Sequence, residues 1–151
     1  MGMNKHTVGE FSQLEFPVVG PADTVVDALV AMRALHSACV LVMSGERLQG
    51  IFTERYFLNR VIGRNLMPGR TMVSEVMTSA PEVLVATQPI GDAILRMGQG
   101  GYRNMPIVDE NGKPTGVLGV RDVVEHLSEL FQQDEEGSEQ FLGAWLDLEV
   151  E

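Results

Sequence analysis

Two stretches decide how this chain is read: GIFTERY (residues 50–56) and GVLGVRD (residues 116–122). Each opens on glycine, continues with two apolar residues, and places an arginine just before its last residue, Tyr56 in one and Asp122 in the other. They lie 66 residues apart. The same offset relates ACVLVM (38–43) to NMPIVD (104–109). An offset of 65 relates DALVAM (27–32) to DAILRM (92–97) and, more loosely, TVGEF (7–11) to MVSEV (72–76). Blocks recurring in one order at a near-constant spacing mark an internal duplication. The extra residue of the second copy falls after its first helix, in GQGGY (98–102).

Within each copy the local signals follow one order. A short extended piece (16–19; 82–85) precedes a helix (25–35; 90–98). Thr24 with Asp27 three residues later forms a capping-box variant, Pro89 suits a first helical turn, and Gly98, Gly100 and Gly101 end the second helix. Two strands follow (39–43 and 48–52; 105–108 and 115–118), then a closing helix (54–64; 121–132). Asn111-Gly112 marks the second hairpin turn, since both residue types tolerate positive φ. Each copy is therefore β-α-β-β-α, and the chain is α/β (α+β): repeat one at 7–64, a linker at 65–71, repeat two at 72–132, and an acidic tail at 133–151. A single unit buries little surface, so two units packing their sheets together make the workable core.

Composition narrows the function. Apolar residues make up 44% of the chain, enough for a packed core. The net charge of −10 is uneven: residues 134–151 hold seven acids and no Lys or Arg, leaving 14 acids against 11 bases in the rest. Neither part has the basic face that nucleic acid requires. No apolar run approaches the ~20 residues of a membrane span, and the N-terminus lacks a signal-peptide stretch. With a single cysteine, Cys39, the expectation is a cytoplasmic protein.

The order Asp-Ala-Leu-x-x-Met, Met-Pro-Ile-Val-Asp, Gly-Val-Leu-Gly-Val-Arg-Asp resembles the CBS domain, and residues 7–131 resemble a tandem pair, or Bateman module. The resemblance implies two repeats related by a pseudo-two-fold, two clefts between them, and often a disc-like homodimer. It further implies a regulatory module that binds an adenosine-containing ligand (AMP, ADP, ATP or S-adenosylmethionine) and acts on a separate enzyme or transporter, without catalysing a reaction or requiring a cofactor.

The family's ligand motif runs Gly, two apolar residues, Thr or Ser, two variable residues, Asp. Its glycine would let backbone approach the ligand, its Thr would sit at a helix N-terminus that attracts phosphate, and its Asp would accept ribose hydroxyls. Copy one keeps Gly50, Thr53 and Arg55 but has Tyr56 for Asp. Copy two keeps Gly116, Arg121 and Asp122 but has Gly119 for Thr. The main site is accordingly expected at Leu84, Thr87, Arg103, Met105, Pro106, Gly116, Gly119, Arg121 and Asp122. A second, weaker one is expected at Ser37, Ala38, Cys39, Gly50, Thr53, Arg55 and Tyr56. The alternative is a non-liganded dimeric adaptor whose clefts have decayed.

Other chemistry finds little footing. His6, His36 and His126 have no ligand-like spacing with Cys39, so no metal is expected. Cys39 falls in an apolar strand and reads as core. No nucleophile elbow or phosphate loop occurs. The tail EQFLGAWLDLEVE (139–151) fits either an alternating strand or one helical face, and its apolar side chains predict docking on its own body, on a target or, the favoured case, on a second copy of the chain.

Overall fold

The computed structural model describes residues 5–133, so the acidic tail lies outside the described residues. The chain runs α1 (Val8–Phe11), β1 (Val18–Val19), α2 (Val25–Ala34), β2 (Cys39–Ser44), β3 (Arg47–Thr53) and α3 (Glu54–Tyr56). A π-helical stretch (Phe57–Ile62) continues α3, and a 3₁₀ turn (Pro68–Arg70) follows. The second half comprises α4 (Val73–Val76), β4 (Thr78–Ser79), α5 (Ile90–Gly100), β5 (Asn104–Val108), β6 (Pro114–Gly119) and α6 (Val120–Gln133). No helix among the described residues is long and apolar enough to cross a membrane.

Local chemistry sets most boundaries where the sequence placed them. Thr24 caps α2: its hydroxyl accepts from the Asp27 amide at 3.1 Å, and the Asp27 carboxylate accepts from the Thr24 amide at 2.9 Å. Pro89 stands one position earlier than expected, at the cap of α5, and α5 runs on to Gly100 before Gly101 ends it at φ +71°. The second hairpin also departs from expectation. Only Gly112 takes positive φ (+81°), because the Asp109 carboxylate accepts from the amides of Asn111 and Lys113, both at 2.9 Å, and shapes the turn itself. Where one continuous helix was expected over 54–64, the winding loosens after a single α-turn.

β2 pairs antiparallel with β3, and β5 with β6. Strand alternation then gives each hairpin two buried faces. Val40, Val42 and Phe52 point into a core shared with α2 and Val61. Their neighbours Cys39, Leu41 and Ile51 point the other way and meet Val117 of β6. The second repeat builds its own core from Met105, Ile107 and Leu118 with α5 and α6. The two sheets thus face each other, as area considerations required.

The repeats exchange their opening segments. Val8 and Phe11 of α1 belong to the core of the second repeat, while Val73 and Val76 of α4 belong to that of the first. The strands behind these helices cross in the same way. β4 pairs antiparallel with β3, setting Thr78 opposite Ile51, and Gln13 pairs with Val117. Gln13 and Thr78 differ by 65 positions and Ile51 and Val117 by 66, so the two crossings are copies of one arrangement. Packing cores therefore do not coincide with sequence repeats.

Candidate functional site

In each repeat the second hairpin strand runs straight into the closing helix, which points that helix's N-terminus at the space between the repeats. How the first turn is capped differs. Thr53 accepts the Tyr56 amide on its hydroxyl at 3.1 Å. Gly119 has no hydroxyl, and its own amide donates instead to Asp122 Oδ2 at 2.8 Å. A full capping box joins a cap hydroxyl to an acid three residues later. The first repeat keeps the hydroxyl half and the second keeps the carboxylate half. Each helix start is also tied to the preceding strand region, through Glu54 N–H to the Ala38 carbonyl (3.1 Å) and Val120 N–H to the Arg103 carbonyl (2.9 Å).

Both helix starts open on one cleft of about 270 Å³. Sequence reasoning assigned its lining to two separate places. From the first repeat come Ser37, Ala38, Cys39, Thr53, Arg55 and Tyr56; from the second come Arg103, Gly119, Arg121 and Asp122. The rest of the expected set is elsewhere. Leu84 and Met105 are core residues of the second repeat, Pro106 is buried in β5, and Thr87 is exposed away from the cleft lining.

Gly50 and Gly116 also stand apart from this lining, and the structure shows a packing reason for glycine at each. A Cβ at Gly50 would lie 2.8 Å from the Thr78 carbonyl oxygen, and one at Gly116 would lie 2.9 Å from that of Gln13. At both positions the crossing backbone of the other half of the chain comes close enough to require glycine.

The cleft is framed by charge of both signs. Asp122 is buried, and its Oδ1 accepts from Gln13 Nε2 at 2.7 Å. Arg103 and Arg121 are exposed at the cleft, and Arg55 donates to the Gly101 carbonyl at 3.1 Å. None of the ion pairs found among the described residues uses a cleft residue. Three arginines thus line a cavity whose acidic lining residues are Glu54 and Asp122.

Tyr56 does not offer an open ring. It packs against the first repeat's core and the inter-sheet cluster, and the Arg60 guanidinium lies 3.7 Å over its centroid. Arg60 is itself held by the Val76 carbonyl at 3.0 Å. Cys39 is buried, and its thiol is pushed up to about 12, chiefly by desolvation; Asp122 adds to the rise and the Ser37 hydrogen bond opposes it. The Tyr102 phenol is pushed up from its ordinary value, first by its hydrogen bond to Glu82 and then by that group's charge. No group of three or more His, Cys, Asp or Glu able to hold a metal occurs among the described residues.

Gln13, His36, Glu54, Tyr102 and Asn104 line the cleft without having been singled out. Asn104 follows Arg103, so adjacency was an available signal. Gln13 arrives by the exchange of opening segments, and its own neighbourhood carries no such signal.

The family model for the CBS domain matches residues 8–63 and again residues 73–129. The chain belongs to the CBS-domain family. It is a tandem CBS pair, and its fold is that of the solved pairs. A CBS domain-containing protein of Arabidopsis thaliana, CBSCBSPB1, is 36% identical over 102 residues. That match takes in 68% of this chain and 19% of the relative, so the pair spans about a fifth of the longer protein. The crystal structure of a CBS domain is 29% identical, covering 80% of this chain and 95% of the other at a TM-score of 0.73. The crystal structure of CBSX2 in complex with AMP shares the fold at 24% identity and a TM-score of 0.68, covering 83% of this chain and 98% of the other.

Proposed function

We propose that this CBS pair is a regulatory module that takes an adenosine-containing metabolite into the cleft between α3 and α6. One observation carries the reading: two helix N-termini, three arginines and a buried carboxylate converge on one cavity. Helix starts and guanidinium groups attract a phosphate or carboxylate. The Asp122 carboxylate can accept a ribose hydroxyl in exchange for the side-chain bond it takes from the exposed Gln13. At about 270 Å³ the cleft falls just below the roughly 300–1,000 Å³ typical of ligand sites, which suits AMP or S-adenosylmethionine better than a dinucleotide. The AMP complex of a neighbour with the same fold is consistent with that choice. In this reading the module is cytoplasmic, non-catalytic and dimeric, and it acts on a separate enzyme or transporter.

The test is thermal denaturation with AMP, ADP, ATP and S-adenosylmethionine at millimolar concentration. A ligand at 100 times its Kd stabilises by about 2.7 kcal/mol, a readily measured shift. Arg103→Ala combined with Arg121→Ala should remove it. Flat melting curves with all four compounds would overturn the proposal.

A second reading, a dimeric adaptor without ligand, is favoured by the contacts of Asp122: both its oxygens already accept protein hydrogen bonds. It predicts flat titrations together with a stable dimer in analytical ultracentrifugation.

A further inference from the structure

The bond between Gln13 and Asp122 joins residues 109 positions apart. The backbone of Gln13 is fixed: its amide donates to the Val117 carbonyl at 2.9 Å, and its carbonyl accepts from the Val117 amide at 3.0 Å. Its side chain is exposed, so it can leave the carboxylate for water without disturbing the strand crossing. While in place, Nε2 lies 2.7 Å from Asp122 Oδ1, the length of a charge-assisted hydrogen bond. Oδ2 is meanwhile spent on the Gly119 amide at 2.8 Å, which stabilises the start of α6. Oδ1 is therefore the oxygen that a ligand in the cleft would use.

The first repeat supplies an internal comparison. Its equivalent of Gln13 is Thr78, which pairs with Ile51 as Gln13 pairs with Val117. The residue in the place of Asp122 is there Tyr56. The amide side chain thus occurs only in the half that kept the carboxylate.

We infer that Gln13 is an internal competitor for the ribose acceptor: its amide occupies Asp122 Oδ1, and a ligand hydroxyl that takes this oxygen must displace it. This rests on the adenosine reading above and concerns its regulation. The device sets a threshold, so the cleft fills only when the metabolite is abundant enough to outcompete a tethered amide. Because Gln13 is borne by the exchanged N-terminal segment, anything that shifts that segment retunes the threshold.

The experiment is calorimetric titration of AMP into the wild-type chain, Gln13→Ala and Gln13→Asn, with melting curves to verify folding. Asparagine keeps the amide but is one methylene too short to hold the same bond, so it should behave as alanine does. Both variants should bind AMP about tenfold to a hundredfold more tightly, the equivalent of losing one hydrogen bond to a charged group. Equal affinity across the three chains overturns the competitor while leaving the adenosine reading intact. Weaker binding by Gln13→Ala also overturns it, making Gln13 a ligand contact. Absence of binding to all three chains overturns both.

Discussion

Gly116→Ala separates the two roles a motif glycine could have. The added Cβ would lie 2.9 Å from the Gln13 carbonyl oxygen and 3.6 Å from the Ser12 side chain. The first contact is too close to keep, and its partner is backbone that cannot rotate away. Relief requires the crossing strand to move, which strains the reciprocal bonds of Gln13 with Val117, 2.9 and 3.0 Å long. Two such bonds contribute about 1 kcal/mol each. Alanine returns roughly 0.4–1 kcal/mol by restricting the unfolded chain, so the net loss is about 1–2 kcal/mol. For a chain of this size that lowers Tm by about 2–8 °C. Urea unfolding followed by circular dichroism should show a lower midpoint with an unchanged slope. Gly98→Ala is the control: it sits in α5 with no atom within 4 Å of the added carbon and should gain about 0.5–1 kcal/mol. If Gly116→Ala were as stable as the wild type, the crossing would not be the reason for the glycine.

Two further outcomes follow from packing and burial. Phe11 is 2% exposed in the core of the second repeat, so Phe11→Ala should cost about 3–5 kcal/mol in chemical denaturation; a loss below about 1 kcal/mol would mean α1 is only loosely docked. The Cys39 thiol has a folded-state value of about 12 against 9.0 for the free group, so the unfolded chain releases this proton first. Its contribution to stability is fully present below pH 9 and is lost as pH rises from about 9 through about 12. Cys39→Ala should flatten that alkaline decline, and identical slopes for the two proteins would refute the burial argument.

Much of the fold could be read from spacing. The 65- and 66-residue offsets identified the repeats, and the apolar run ACVLVM with the cap at Thr24 located a strand and a helix. The exchange of opening segments could not be read, because TVGEF and MVSEV look the same whether they pack on their own repeat or on the other. The clue lay in Gly50 and Gly116, whose missing side chains were attributed to a ligand with no thought of the chain's own close approach. The motif positions Thr53, Arg55, Tyr56, Gly119, Arg121 and Asp122 were legible individually, but not their convergence in one cleft. That depends on how the sheets face each other through Leu41, Ile51 and Val117, a contact no local pattern encodes. Gln13 escaped notice for the same reason.

The crossing of α1 and α4 has a consequence for how such a molecule could be divided. A cut in the 65–71 segment would give two fragments, each carrying the plug that fits its sibling and lacking the one that fits itself. Neither piece is a self-sufficient building block, and mixing them should restore what each lacks. A solitary ancestral repeat would face the same shortage and could meet it only by a reciprocal handclasp with an identical chain. Joining two such chains end to end would add nothing but a tether.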